Sequence, residues 1–278
     1  MSLIRFLIYP VFFLGKSCSY FLFVHLGIEP LYSSSICFAT LAFIVFYLEK
    51  KFPYEPDWNR NIGDLSADII HNLVNFFLIF LTYKGIEVLK LKISFPSIWP
   101  SHLPYFLQVI AAGVFIDLGM YWIHRFSHSV PFLWRLHSVH HSSERLYWLN
   151  AEKRHPIHAM LEGTPGVLTV FLLGASSEVV LGWLSVLSFH LMFQHGNINY
   201  RAGFLRSIFS VAELHRWHHR KKYRETQVNY GAVFSFWDSL FDSLQKGEEG
   251  FVKGAQVGLE RKTPFPKDYL GQMIEPFK

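Results

Sequence analysis

Eight histidines in this chain stand at spacings that let imidazole rings converge. His124 and His128 are four apart, His137, His140 and His141 form an HxxHH group, and His215, His218 and His219 repeat it. Side chains three and four apart share one face of a helix, with Cβ atoms roughly 5–6 Å apart, so each group can aim two or three rings at one point. Imidazole suits zinc, copper, iron and nickel. A single zinc site takes three or four protein ligands. The eight histidines of these groups exceed that, and two metal ions with shared or vacant positions account for them. His195, in the stretch FQHGN, is placed to close the cage from a further direction. Without a metal, rings so crowded would only repel one another as they protonate.

Other residues are candidates for ligating a metal or steadying a ligand. His155 sits in an RHP triplet, and His190 lies five residues before His195. Asp117 lies seven residues before His124, two turns away on the same helix face. A carboxylate within a membrane span is a functional candidate by default. Here it would accept the free ring N–H of a ligand histidine and so set its tautomer.

The elements that must carry these groups are apolar helices. Apolar residues make up 51% of the 278-residue chain and aromatics 18%, while charged residues reach only 17%, against about 25% in soluble domains. The expectation is an all-α integral membrane protein. Residues 3–27 form an apolar segment interrupted by Arg5, Pro10 and Lys16, which crosses the bilayer or lies partly in its interface. Clearer spans cover 32–48, 67–89 and 105–123. The second segment ends in Glu49-Lys50-Lys51, and lysines mark the cytoplasmic side. Counting crossings from there brings His124 out on the cytoplasmic face, in agreement with Arg125, Arg135, Arg145, Lys153 and Arg154.

The apolar run 164–193 has GASSE in its middle. One crossing would strand His195 on the wrong side, whereas a turn at GASSE brings it back. Each arm would then have roughly fourteen residues, about 21 Å of helix, too short for a core of about 30 Å. A re-entrant hairpin dipping part-way into the membrane is therefore expected. The chain divides into transmembrane helices (1–123), a histidine-rich catalytic region forming a cytoplasmic cap (124–245) and a polar tail (246–278). Cys18 and Cys37 give neither a disulfide framework nor a thiolate metal motif. The net charge of +5 is carried beside apolar segments, which suits anionic headgroups and argues against nucleic acid.

The motifs resemble those of the membrane fatty acid hydroxylase / sterol desaturase superfamily. They run in order as Asp117…Tyr121-Trp122-x-His124-Arg125-x-x-His128, His137-x-x-His140-His141-Ser142-Ser143, Asn150…Arg154-His155-Pro156, His195-x-Asn197 and His215-x-x-His218-His219, followed by Asn229-Tyr230-Gly231 and Trp237-Asp238. The wording HSVHHSSE is most similar to bacterial sterol-desaturase-like proteins and alkylglycerol monooxygenase. The resemblance covers roughly residues 50–245. It implies two histidine-held non-haem irons and O₂-dependent hydroxylation or desaturation of a membrane lipid such as a sterol, fatty acyl or alkylglycerol chain. Zinc in purified material is compatible with the same ligands. The resemblance also makes Asn150 a candidate for the site. No dinucleotide fingerprint, cysteine cluster or haem motif is present, so electrons must come from a separate donor protein or a diffusible reductant. The basic stretch 216–224 is a candidate surface for an acidic redox partner or anionic lipid. The alternative from another class is a membrane metal-binding or metal-transport protein without oxygenase activity.

Overall fold

The computed structural model describes residues 3–93, 97–245 and 256–278. The first part of the tail expected over 246–278, residues 246–255, lies outside the described residues, as do residues 94–96 of the loop before the fourth helix. Among the described residues the chain is helical, with three isolated β-bridges and no strand. Five helices are long and apolar enough to cross a membrane: α1 (Ile4–His25), α2 (Pro30–Lys51), α3 (Leu65–Lys92), α4 (Tyr105–Ser127) and α6 (Pro156–Leu173). Between α4 and α6 lies the short α5 (Pro131–His141), and α7 (Ser177–His195) follows α6. The remainder is loops and short helices, including α8 (Ala212–His218), α9 (Phe236–Leu240) and α10 (Tyr269–Ile274).

Local sequence explains the breaks. Proline opens α2, α5 and α6 at the first helical turn, where its missing N–H costs nothing. Pro10 falls inside α1, and the helix passes it through a π-helical turn over Pro10–Leu14. Two helices are joined by a turn at GASSE. Gly174 ends α6 at φ +98°, a left-handed conformation natural to glycine, and the Ser176 side chain caps α7 by accepting from Val179 N. The arms are longer than expected, 18 and 19 residues, because α6 starts at Pro156 and α7 runs on to His195. The tip also reaches the α3–α4 loop. Lys90 Nζ donates to the Gly174 carbonyl, and Ile98 N to that of Leu173.

Every residue of α7 except Glu178 is buried, as befits a helix apolar on all sides. It packs against α2, α3, α4 and α8 and forms the axis of the bundle. Beside it α4 and α6 approach to backbone contact: a Cβ added at Gly166 would lie 2.3 Å from Ile116 Cα. Gly166→Ala is therefore expected to push the two helices apart and cost about 1–3 kcal/mol or more, measurable as a fall in thermal midpoint in detergent. The end of α2, the start of α3, the end of α4 and both ends of the α6–α7 hairpin meet at one pole. Glu49 binds the Trp148 and Asn197 backbone N–H groups there, and His195 meets His140. This is the pole of Lys50 and Lys51.

Candidate metal centre

At that pole nine buried histidines form two groups. His124, His128, His137, His141 and His218 make one; His140, His195, His215 and His219 make the other. Within each group one nitrogen per ring lies within 4.8 Å of all the rest. The eight histidines expected from spacing, and His195, are brought together, and the two HxxHH groups are crossed. On α5 the i,i+4 pair His137 and His141 turns to the first group while His140 turns to the second. On α8 and its C-cap, His215 and His219 turn to the second group and His218 to the first. Neither HxxHH is a site alone; each ties two sites together.

The tautomers say what belongs between the rings. His124 Nδ1 lies 2.7 Å from the Tyr230 carbonyl and His218 Nδ1 2.8 Å from that of Val228. A carbonyl only accepts, so both Nδ1 atoms carry hydrogen and both Nε2 atoms present lone pairs. Those two Nε2 atoms are 2.9 Å apart. The second group repeats this. His140 Nδ1 donates to Lys153 O at 3.1 Å and His195 Nδ1 to Leu191 O at 3.2 Å, while their Nε2 atoms stand 3.2 Å apart. Further Nε2 pairs, His141–His137, His141–His218, His215–His195 and His219–His215, are at 3.0–3.1 Å. A shared proton could bridge one such pair but not all of them. Burial, reinforced by neighbouring imidazoles, holds the rings of His128, His137, His140, His141, His215 and His219 well below the usual histidine pKa. Neutral rings with converging lone pairs fit a cation in each group.

Ornithine lipid hydroxylase OlsE of Rhizobium tropici is 31% identical over 95% of the chain and 80% of its own length. The chain belongs to the fatty acid hydroxylase family. The family's profile matches residues 109–243, from the second turn of α4 through the second HxxHH to just past Trp237-Asp238. Very-long-chain aldehyde decarbonylase GL1-8 of Oryza sativa is 27% identical over 74% of the chain and 76% of its own length. Human alkylglycerol monooxygenase is 26% identical over 69% of the chain but only 42% of its own length. No solved structure matches the chain. Like these lipid hydroxylases and monooxygenases, the protein is an oxygenase, and its buried histidine groups are able to hold metal.

Several expected site residues of this fatty acid hydroxylase family member have other work. Asp117 takes no ligand histidine. Its carboxylate accepts from Val233 N, Phe234 N and Trp237 Nε1, so it grips the loop whose Tyr230 carbonyl orients His124. Asp238 holds the same loop through the N–H groups of Tyr230 and Gly231. His190 is five residues from His195, roughly 140° round the helix, and faces away: Nδ1 meets Tyr9 OH and Nε2 the Ser210 carbonyl. His155 caps α6 by accepting from Ile157 N, with its other nitrogen against Met273 O. Asn150 belongs to a capping box with Tyr147 and donates to Asp68. None of His155, His190 and Asn150 belongs to either group of converging nitrogens.

Spacing missed a set of buried carboxylates near the helix ends. Asp68 accepts from Tyr147 OH and Asn150 Nδ2 and pairs with Lys153 at 3.4 Å. It thereby fixes the loop whose Lys153 carbonyl orients His140. Asp64 binds Arg145 through both carboxylate oxygens. The polar starts of the spans were the available signal. His158 also adjoins the site, stacked on His137 at 4.6 Å and bonded to Ser127 Oγ. In the basic stretch Arg216 is buried, donating to the Gly196 and Ile198 carbonyls over the Tyr54 ring. Any docking face there is left to Lys221, Lys222 and Arg224.

Asp117→Asn sets an amide N–H₂ against one of three donors. It is expected to loosen the 230–237 loop and lower affinity for the first-group metal about 10–100-fold, as loss of outer support does. Iron retention against a graded chelator measures this.

Proposed function

We propose that the protein is a di-iron, O₂-dependent hydroxylase, or desaturase, of a membrane lipid. The observation that carries the reading is the pair of converging Nε2 clusters at one pole of a spanning bundle. Five histidines would hold one iron and four the other. The metal pair supplies oxidation of an unactivated C–H bond by O₂. The chain's own contribution is to fix His124, His140, His195 and His218 through backbone carbonyls and to keep the pair dry: all nine rings are at most 5% exposed. Similarity to ornithine lipid hydroxylase across nearly the whole chain favours hydroxylation of a polar membrane lipid over decarbonylation. Lys50 and Lys51 beside the histidine pole favour a cytoplasmic site.

Electrons come from a separate protein or a diffusible reductant. A cavity of about 460 Å³, lined by His141, Trp134, Arg135, Arg220 and Lys221 among others, gives such a donor an aqueous approach. Trp134 stands 5.0 Å from the His128 ring and 5.2 Å from that of His141. Metal transport is not favoured. Ligands for it would run along the spans near the midplane, whereas both groups sit at one end and His71 and His190 have both nitrogens engaged.

Untargeted lipidomics on cells carrying the wild type or His219→Ala tests the proposal. A lipid gaining one oxygen, or losing two hydrogens, only with the wild type is expected. Altered metal uptake with an unchanged lipid profile would overturn it.

A further inference from the structure

Behind the metal pair, toward the membrane, the bundle is not filled. A cavity of about 310 Å³ lies between α3, α6 and α7. Leu81, Met160 and Thr164 at its rim are exposed on helices apolar enough to span a bilayer, so it opens sideways. Its inner wall includes Met120 and Ser188. Met120 is four residues before His124 and Ser188 seven before His195, spacings that keep a helix face. The wall therefore continues the two faces that deliver a ligand to each metal group. Polar groups close the inner end: Glu152 and Arg154 line it, and Lys153 between them gives its carbonyl to His140. A second cavity of about 250 Å³ shares Ile79, Leu184 and Ser188 and carries on beneath α3 to α2.

We infer that this groove receives the hydrocarbon chain of a bilayer lipid, and that Gly163 sets which chains fit. The inference rests on the lipid hydroxylase reading and gives that reading its substrate channel. Gly163 lines the groove, and a Cβ added there would meet nothing within 4 Å. Three residues on, Gly166 is required by helix contact; Gly163 is not. Glycine inside a helix is unfavourable relative to alanine, and no packing contact explains it here. What its bare Cα leaves is width in the groove. The occupant is a lipid chain because the walls are largely apolar and the mouth faces the bilayer. A water-soluble ligand would reach the metals instead through the basin at His141 and Trp134.

The test uses the iron-loaded full chain in phosphatidylcholine–phosphatidylglycerol vesicles containing a phospholipid with a diazirine in one acyl chain. Illumination is expected to label residues 159–167 in the wild type. In Gly163→Phe labelling there should fall by about tenfold or more, the scale on which a filled apolar pocket discriminates, with iron content unchanged. Gly85→Phe, at an equally open helix glycine outside the groove, should label and turn over as the wild type does. Gly163→Ala should keep full iron and favour slimmer chains, which covers the case in which the phenylalanine variant fails to fold. Equal labelling of wild type and Gly163→Phe overturns the groove. So does labelling by a diazirine fatty acid alone and not by the phospholipid. Labelling needs no turnover, so an enzyme that oxidises no lipid would sink the hydroxylase reading separately.

Discussion

His140→Ala and His219→Ala are expected to lose the same iron, although the two residues lie on different helical elements, and His141→Ala and His218→Ala to disturb the other. The expectation follows from the crossing of the two HxxHH groups. His140 and His219 share the four-ring group; His141 and His218 share the five-ring group. Removing one ring from four leaves three donors and an imidazole-sized gap, so metal content should fall from two ions to one. Removing one from five leaves four, so the metal should stay with altered spectra. Lipid oxidation should fall in all four variants by more than about 100-fold, beyond the cost of losing an outer partner of a ligand. Metal analysis with Mössbauer spectroscopy of the iron-57 protein separates the classes. If neighbours in sequence, His140 and His141, gave one phenotype and His218 and His219 another, the crossed arrangement would be wrong.

That crossing marks the boundary of what the sequence could tell. Helical spacing singles out eight of the nine grouped histidines because i,i+3 and i,i+4 neighbours share a face, and His195 joins them through the hairpin. It cannot say that the i+3 ring serves a second metal, since that depends on how α5 and α8 face each other across α7. Histidine type alone singles out His190 and His155, which the structure leaves outside both groups. One points to Tyr9 from the far side of α7 and the other caps a helix, and only orientation distinguishes them from ligands. Asp117 was legible as important but not in its role. Its carboxylate reaches the ligands through a loop separated from it by more than a hundred residues. The fold was read more fully, because span, turn and apolar run are local properties. The hairpin arms came out short only because hydropathy stops at polar residues that the helices continue through, up to Pro156 on one side and His195 on the other.

Stripped of metal, the protein is expected to lose stability steeply as pH falls below about 6.5. The grouped histidines outside the spans, His128, His137, His140, His141, His215, His218 and His219, all have pKa values pushed well below the usual 6.5, first by burial. In the unfolded chain each titrates normally. Below 6.5 the unfolded state therefore binds more protons than the folded one, and stability drops with falling pH by up to about 1.4 kcal/mol per unit for each histidine. The full stability is present above that pH. With seven such groups, a typical margin of about 5–15 kcal/mol would be consumed within one to two pH units. Bound metal opposes this by occupying the nitrogens that protons would take. Thermal unfolding followed by circular dichroism in detergent, from pH 8 to pH 5, should show the chelated protein collapsing first and the iron-loaded protein holding to lower pH. Superimposable curves for the two forms would mean that the histidine groups do not hold the metal.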